Sequence, residues 1–285
     1  MKVLVFGETG QLGQALLHRA GGVTLEMRGS DVADFNDPEA CAGFVAATDA
    51  QAVINAAAYT AVDRAEEDEA RALQINGATP GVLATAAARR GLPFVQVSTE
   101  YVFDGSGDGP FTPDDPTGPL NAYGRTKLAG EDAVRAARGP HAILRTSWVV
   151  SPYGRNFVKT MLRLGRERDL LTVVADQVGG PTPAVALADA CLAAAQGLVA
   201  DPSLSGTYHI SGKPDVSWAD FAREIFAQAG IDCPVKDIPT NTYPTPARRP
   251  LNSRLHNSSF IAAFGLARPD WRPGLSDILK DLGEI

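Results

Sequence analysis

Short apolar runs alternate with longer segments of helical character through the first 150 residues. Lys2 to Phe6 is a β-branched run closed by a glycine, which is typical of a buried strand. Four later runs are likewise short and apolar, and segments of helical character separate them. The pattern predicts strands at 2–6, 23–27, 52–55, 94–98 and 142–149, and helices at 13–20, 38–47, 66–90 (interrupted near 77–80) and 122–137. Strands alternating with helices predict a parallel α/β sheet with helices on both faces.

Beyond Val150 the rhythm changes, and a smaller second unit is expected. The pattern predicts helices at 157–168, 186–198 and 218–229, and strands at 171–175 and 207–210. Residues 239–250 hold four prolines and two arginines, which favours an extended, constrained segment. We expect a first domain over residues 1–150, with a return of the chain around 184–210. Residues 151–285 would then form mainly a smaller C-terminal α/β domain that binds substrate.

The 285-residue chain has ordinary globular composition and a formal net charge of −7. This charge argues against nucleic acid or an anionic membrane as a partner. The apolar run near the N-terminus is too short for a signal peptide, and no run is long enough to span a membrane. Cys41, Cys191 and Cys233 are far apart, which argues against a metal site and favours a reducing, cytoplasmic location.

Three glycines, Gly7, Gly10 and Gly13, follow the first predicted strand and precede the first predicted helix. Glycine suits a tight turn, a close approach of backbone to a pyrophosphate, and the packing of helix on strand. The helix N-terminus also offers free N–H groups to phosphates. The spacing therefore predicts a dinucleotide site in a Rossmann-like, doubly wound sheet, although an ordinary glycine-rich turn has the same pattern.

The end of the second strand commonly selects between NAD and NADP. Here the neutral Met27 is followed by Arg28, which favours a 2′-phosphate and therefore NADPH, with NADH as the alternative. If the register slips by one residue, Glu26 is the acid that holds the ribose, and Arg28 can equally be a solvated surface charge. Asp34 and Phe35 fall where an Asp can bond the adenine amino group, but a helix-entry loop explains them nearly as well.

Tyr123 and Lys127 are four residues apart on a predicted helix, so their side chains share one face. A tyrosine with a pKa of about 10 is a poor acid at neutral pH, and a neighbouring ammonium lowers that pKa. We expect Tyr123 to donate a proton to a developing alkoxide, and Lys127 to assist it and to hold the nicotinamide ribose. Taken alone, this spacing is also explained by a surface tyrosine near a lysine, but its place after a glycine-rich turn and just beyond the fourth strand favours the catalytic role.

Two hydroxyl residues, Ser98 and Thr99, end the fourth predicted strand. A hydroxyl at this edge of the sheet can bond a substrate carbonyl and stabilise its oxyanion. We assign this role to Thr99 rather than Ser98. Backbone capping by both hydroxyls is the alternative.

With these motifs together, the chain resembles the extended short-chain dehydrogenases/reductases and, among them, the dTDP-4-dehydrorhamnose reductase family. The matching stretches run in order along nearly the whole chain, so the set is far more specific than any one motif. They are GETGQLG (7–13), INAAAYTAVDRAE (54–66), VSTEYVFDG (97–105), PLNAYGRTKLAGE (119–131), RTSW (145–148), DQVGGPT (176–182) and RPLNSRL (249–255).

The resemblance implies a role for each matching site residue. The dinucleotide would be lined by Thr9, Gly10, Gln11, Leu12, Gly13, Ala56, Ala57 and Tyr59. Substrate would contact Thr99 and Glu100, and Tyr123 would be the proton donor. Trp148 would pack against the sugar, unless it is simply part of the core. Arg249 would meet the diphosphate or thymidine end, since arginine pairs bidentately with phosphate.

The resemblance also implies a substrate, a dTDP-linked 4-keto-6-deoxyhexose that NAD(P)H reduces. Other nucleotide-sugar epimerases or dehydratases, and a non-catalytic regulatory subunit, remain the rival functions. The family usually has Asp where this chain has Glu100. Some members hold Mg²⁺ at a dimer interface through a Glu in the first helix, but Ala15 stands at that position. We therefore predict no metal and not that dimer, and expect a monomer or another homodimer.

Overall fold

Six parallel strands form the central sheet of the computed structural model, which describes all 285 residues. The strands of the chain are β1 Lys2–Phe6, β2 Thr24–Arg28, β3 Ala52–Asn55, β4 Phe94–Thr99, β5 His141–Thr146, β6 Val149–Val150, β7 Leu171–Val174, β8 Val178–Gly179, β9 Thr182–Pro183, β10 Gly206–His209, β11 Val216–Ser217, β12 Val235–Ile238 and β13 Asn252–Ser253. The central sheet has the order β2-β1-β3-β4-β5-β10. Smaller sheets are β11-β8-β13, β12-β7 and β6-β9.

Helices cover both faces of the central sheet and build most of the rest. They are α1 Gln11–Arg19, α2 Pro38–Ala47, α3 Val62–Ala65, α4 Glu69–Leu73, α5 Thr79–Arg89, α6 Ala122–Ala136, α7 Phe157–Glu167, α8 Ala184–Ala200, α9 Trp218–Ala229, α10 Ser258–Phe264 and α11 Trp271–Asp281. Three 3₁₀ turns (Glu100–Val102, Pro202–Leu204, Thr240–Thr242) and a π-helix (Gln74–Ala78) complete the set. The predicted Rossmann-like fold is confirmed. None of the helices combines the length and apolar character that crossing a bilayer requires.

Capping residues explain where several helices begin. Asp37 accepts a hydrogen bond from the Ala40 N–H, and Pro38 occupies the first position of α2. Asn121 and Asn156 cap α6 and α7 in the same way. These local signals are why the observed helix starts agree closely with the predicted ones.

Two predicted elements differ from the structure by more than two residues at an end. The fifth strand was expected to run to Val149 but ends at Thr146, because Trp148 has a positive φ of 49° that turns the chain. The long helix expected over 66–90 is divided into α4, the π-helix and α5. The π-helix places an extra residue in one turn, which is why the pattern looked interrupted there.

Three apolar cores hold the molecule together. One lies between the sheet and α1 with α8, and another lies between the opposite face of the sheet and α2, α5 and α6. The third core packs α7, α9 and α11 with β7. Because α8 and β10 belong to the first core, the stretch 184–209 returns to the central sheet after the chain has left it.

Candidate active site

The glycine turn connects β1 to α1 at the carboxyl edge of the sheet. Gly7 has a φ of +100°, which side-chain-bearing residues rarely adopt. A Cβ at Gly13 would lie 2.1 Å from the Gly7 carbonyl oxygen, so only glycine lets α1 pack this closely. No side chain caps the start of α1 at Gly10. Its first N–H groups therefore remain available to phosphates, and the turn fits a dinucleotide.

The loop after β3 lies directly against this turn. A Cβ on Gly7 would meet the Ala57 nitrogen at 2.6 Å, and the Ala56 N–H donates to the Phe6 carbonyl at 2.9 Å. Asn55 accepts a hydrogen bond from the Ala57 N–H at 3.1 Å, which shapes the start of the loop. The structure thus brings Ala56 and Ala57 to the glycine turn.

Tyr59, further along the loop, is held by a residue that the sequence analysis missed. Asn76, in the π-helix, is fully buried and accepts from the Tyr59 N–H at 2.8 Å. Its amide donates to the Tyr59 carbonyl and to the Thr126 hydroxyl of α6, at 3.1 and 3.2 Å. Asn76 therefore joins the proposed cofactor loop to the helix that carries Tyr123.

Gln11 connects the glycine turn to the C-terminal half of the chain. Its side-chain oxygen accepts from Ser151 at 2.8 Å and from Asn156 at 2.9 Å. Leu12 is buried in the first core, whereas Thr9 is exposed at the mouth of the turn. Gln11 is thus a contact between the two parts of the molecule on either side of the proposed site.

The end of β2 differs from the expectation in one respect. The strand ends at Arg28, one residue beyond Met27, so Arg28 itself occupies the strand end. Its guanidinium forms an ion pair with Glu26, donates to the Met27 carbonyl at 2.9 Å and lies 5.0 Å from the centroid of the Phe44 ring. The Arg28 guanidinium is therefore not a freely solvated charge, because it forms an ion pair with Glu26.

The stretch after β2 behaves as a helix-entry loop. The Asp34 carboxylate accepts from the backbone and side-chain nitrogens of Asn36, at 2.9 and 2.7 Å. Those two bonds lower the pKa of Asp34. Phe35 is buried edge-on against Phe6 with ring centroids 5.8 Å apart. The local contacts thus account for both residues without a ligand.

Tyr123 and Lys127 lie on the first turns of α6, which Asn121 caps. The Lys127 ammonium is buried and donates to the Val97 carbonyl of β4 at 2.6 Å. Burial lowers the pKa of Lys127 to about 8, and Glu131 opposes that change. The structure therefore places Lys127 against β4 and Tyr123 within reach of Thr99 at the end of that strand.

Thr99 ends β4 next to these groups, and Glu100 begins the following 3₁₀ turn. The Thr99 hydroxyl donates to the Glu100 carboxylate at 2.8 Å. Burial raises the pKa of Glu100 to about 7, against the effects of Thr99, its own N–H and Ser253. A buried carboxyl with such a pKa can serve as either donor or acceptor near neutral pH.

The pKa of Tyr123 is raised, whereas the neighbouring Lys127 ammonium was expected to lower it. Burial raises it well above its usual range, and the Glu100 charge adds to the rise, while the Thr99 hydroxyl opposes it. Lys127 is not among the groups that shift this pKa, because its ammonium is directed at the Val97 carbonyl. The Tyr123 hydroxyl is therefore protonated near neutral pH, but the expected lowering of its pKa by Lys127 is not observed.

Arg249 approaches the site from the C-terminal part of the chain. Its guanidinium lies 2.7 Å from the Asp63 carboxylate and 3.4 Å from the Tyr101 hydroxyl. The Tyr101 ring in turn packs edge-on against Tyr123, with centroids 5.4 Å apart. Tyr101 thus contacts both the Arg249 guanidinium and Tyr123, the proposed proton donor.

Trp148 lies in the turn after β5 and is partly exposed. Its ring stacks on Trp218 at the start of α9, with centroids 3.5 Å apart and planes 10° apart. A Cβ on Gly179 would approach this ring to 2.9 Å. Trp148 therefore belongs to an aromatic layer between the sheet and the third core, and its partly exposed state leaves surface for a ligand.

The metal of some family members does not fit this chain. Ala15 is buried in α1 and offers no oxygen ligand. Nowhere do three His, Cys, Asp or Glu side chains gather in an arrangement that could hold an ion. We derive no step through a metal.

A parallel sheet, a glycine turn after β1, and a Tyr-x-x-x-Lys pair beside the end of β4 are the defining features of the short-chain dehydrogenases/reductases. Comparison with known proteins narrows this class. Residues 1–284 match the model of the RmlD substrate binding domain family. The chain is 41% identical to the dTDP-4-dehydrorhamnose reductase of Escherichia coli K12, over 99% of this chain and 98% of that one.

Solved structures agree with this. A dTDP-4-dehydrorhamnose reductase from Clostridium acetobutylicum superposes with a TM-score of 0.92 at 40% identity, covering 99% of this chain and 100% of that one. The Bacillus anthracis dTDP-4-dehydrorhamnose reductase in complex with NADP gives 0.90 at 34%, covering 98% and 99%. The chain belongs to the RmlD substrate binding domain family, the family of the dTDP-4-dehydrorhamnose reductases.

Proposed function

We propose that this protein reduces the 4-keto group of dTDP-4-dehydro-L-rhamnose to give dTDP-L-rhamnose, with NADPH as the reductant. The observation that carries the proposal is the convergence of Tyr123, Lys127 and Thr99 at the end of β4, beside a glycine turn that fits a dinucleotide. Curated relatives of that name, about 40% identical over nearly the full length, support the same reaction.

The dinucleotide held at the glycine turn would supply, when bound and reduced, the hydride that C4 of the sugar accepts. Tyr123 gives its proton to O4, since its hydroxyl is protonated throughout the physiological range. The Thr99 hydroxyl, which now donates to Glu100, turns its proton toward O4 as negative charge develops there. Glu100 is then free to bond a sugar hydroxyl.

Lys127 is the charged member of the proposed catalytic pair. With a pKa of about 8 its ammonium is mostly charged at neutral pH. In the observed arrangement this ammonium bonds the Val97 carbonyl and does not lower the pKa of Tyr123, so its proposed role is to orient the cofactor. The same ammonium would bond the ribose hydroxyls of the nicotinamide.

The remaining predicted residues hold the two ligands. Gly7 to Gly13 would cradle the pyrophosphate, and the loop of Ala56, Ala57 and Tyr59 would cover it. Arg28 would bind the 2′-phosphate after exchanging part of its contact with Glu26. Arg249 would meet the substrate diphosphate, and Trp148 would pack against the sugar.

The rival reaction, dehydration of a nucleotide sugar, needs an acid for the leaving hydroxyl and a base for a carbon-bound proton. In this chain a single carboxylate, Glu100, follows Thr99, and Tyr101 comes next. Carbonyl reduction needs only Tyr123 as donor, so reduction is the better match.

The free, buried thiols of Cys41, Cys191 and Cys233 support a reducing, cytoplasmic setting for the enzyme.

The test is an assay of purified protein with dTDP-4-dehydro-L-rhamnose, a GDP-linked 4-keto sugar and dTDP-glucose. We expect loss of NADPH absorbance with the first sugar and dTDP-L-rhamnose as product. Tyr123→Phe is the matched control because it removes only the hydroxyl. Conversion of dTDP-glucose to a product lighter by one water would instead establish a dehydratase.

A further inference from the structure

A buried ion pair lies beneath the site, between α6 and β5. Glu131 and Arg145 are 0% and 2% exposed. Arg145 donates through Nε and Nη2 to the two carboxylate oxygens of Glu131, at 2.9 and 2.7 Å. This two-pronged contact fixes the orientation of both side chains as well as their distance.

The pair ties together the segments that carry the proposed catalytic groups. Glu131 follows Lys127 by four residues on α6, so both lie on one face of the helix. Ser98, the residue before Thr99, donates to Glu131 at 2.6 Å. Ser98 is also the register partner of Arg145 in the sheet. One carboxylate thus joins α6, β4 and β5 where the site is built.

Arg145 extends this link to the loop that follows the site. Its Nη1 donates to the Pro113 carbonyl at 3.1 Å, and its guanidinium lies 4.9 Å from the centroid of the Phe103 ring. Phe103 stacks on Phe111 with centroids 4.3 Å apart. The segment that contains Phe111 and Pro113 is therefore anchored on the same buried pair.

Lys127 has little else to balance its charge. Its hydrogen-bond partner is an uncharged carbonyl, that of Val97. Glu100 beside β4 and Arg145 on β5 also carry charge near this part of the sheet, yet Glu131 is the one charged group that shifts the pKa of Lys127. On the outer side of α6, Arg135 bonds the same carboxylate at 2.6 Å.

We propose that Glu131, paired with Arg145, is a positioning residue for the reduction. It fixes the position of Lys127 on α6 relative to Thr99 on β4, and it supplies the negative charge that balances Lys127. The inference rests on the proposed reductase function. Stability alone gives little reason to keep the pair, because replacing a buried ion pair with uncharged side chains of similar volume is often neutral or stabilising.

The test compares one single and one double variant in the reductase assay. Glu131→Gln leaves Arg145 buried without its counter-charge, so we expect it to lower both Tm and kcat. In Glu131→Gln/Arg145→Met the Gln oxygen still accepts from Ser98, and no guanidinium is left buried without a partner, so Lys127 alone loses its counter-charge. We expect Tm to recover in the double variant while kcat stays about 10–100-fold below wild type, the size of effect that misplaced reacting groups produce.

The pH profile separates positioning from mere packing. Burial already lowers the pKa of Lys127 to about 8, and loss of the Glu131 charge lowers it further. Lys127 then loses its proton at lower pH, so the alkaline limb of kcat should move to lower pH in both variants. A double variant with wild-type stability, wild-type kcat and an unchanged limb would overturn the proposal.

A further single variant, at Glu131, tests the positioning role if the double variant does not regain its Tm. Glu131→Asp keeps the carboxylate but shortens its reach, so kcat should fall while the alkaline limb stays in place. Wild-type kcat in Glu131→Asp would also overturn the proposal. A wild-type protein without turnover refutes the reductase function itself and this inference with it, whereas active wild type with unaffected variants refutes only the inference.

The control is an exposed ion pair between α6 and α4. Arg125 of α6 donates through Nε and Nη2 to Glu69, each at 2.9 Å. Glu69→Gln/Arg125→Met makes the same chemical change where water surrounds it. We expect kcat and the pH profile of that variant to equal those of wild type.

Discussion

Gly13→Ala offers a direct test of the dinucleotide turn. The added Cβ would lie 2.1 Å from the Gly7 carbonyl oxygen and 2.6 Å from that of Glu8. Carbon and carbonyl oxygen ordinarily approach no closer than about 3.3 Å, so the backbone must move by roughly 1 Å. Overpacking of this kind costs about 1–3 kcal/mol. For a chain of this size that lowers Tm by about 2–12 °C.

The same movement should weaken cofactor binding. The N–H groups at the start of α1 would no longer point at the pyrophosphate, and a charge-assisted hydrogen bond is worth about 1.5–3 kcal/mol. The Kd for NADPH should therefore rise by about 10–100-fold. Thermal unfolding and calorimetric titration with NADPH measure the two effects separately.

Two other glycines provide graded controls. At Gly10 an added Cβ would meet only the Gly7 oxygen, at an ordinary 3.6 Å, and at Gly22 it would meet nothing within 4 Å. Gly10→Ala should thus cost less stability than Gly13→Ala, yet it weakens NADPH binding if the pyrophosphate lies against this residue. Gly22→Ala should change neither. Gly13→Ala with wild-type Tm and wild-type Kd would refute the reasoning.

Three further predictions concern single side chains around the site. Tyr123→Phe should lower kcat by about 10²–10⁴-fold with nearly unchanged NADPH affinity, because only the transferred proton is lost; steady-state kinetics and titration check this, and normal turnover would contradict it. Arg28→Ala should weaken NADPH more than NADH by about tenfold or more, since one charge-assisted bond to the 2′-phosphate is lost; equal effects on both cofactors would show that Arg28 only pairs with Glu26. Glu100→Gln should raise the KM for the sugar without abolishing reduction. Because burial raises the pKa of Glu100 to about 7, wild type loses stability as pH rises through 7, so Glu100→Gln should have the higher Tm at pH 8 and a matching Tm below pH 4.5. Melting curves at both pH values test this, and a lower Tm of the variant at pH 8 would contradict it.

The parts of the site that the sequence predicted are those that short spacing encodes. The glycine turn and the Tyr123–Lys127 pair each lie within one turn or one helix, so local pattern was sufficient to find them. Arg28 and Glu26 are two residues apart on one strand, which places them on the same face. An ion pair between them was therefore predictable from that spacing.

What the sequence could not provide are contacts between distant segments. Asn76 meets Tyr59 and Thr126 only because a π-helix turns it toward both. Glu131 and Arg145 come from a helix and a strand whose register is set by the whole sheet. Trp148 ends β5 early through a positive φ that no propensity of tryptophan favours. Each of these depends on packing that exists only once the fold is complete.

The stacked pair of Trp148 and Trp218 also gives the molecule a built-in optical signal. Two indoles with centroids 3.5 Å apart and planes 10° apart couple their electronic transitions, so the pair should contribute to the near-ultraviolet circular dichroism of the folded protein. The third tryptophan, Trp271, is buried with its N–H bonded to the Pro214 carbonyl, and it serves as an internal reference. Because Trp148 sits where the sugar is proposed to bind, occupancy of the substrate site can be followed without attaching any label.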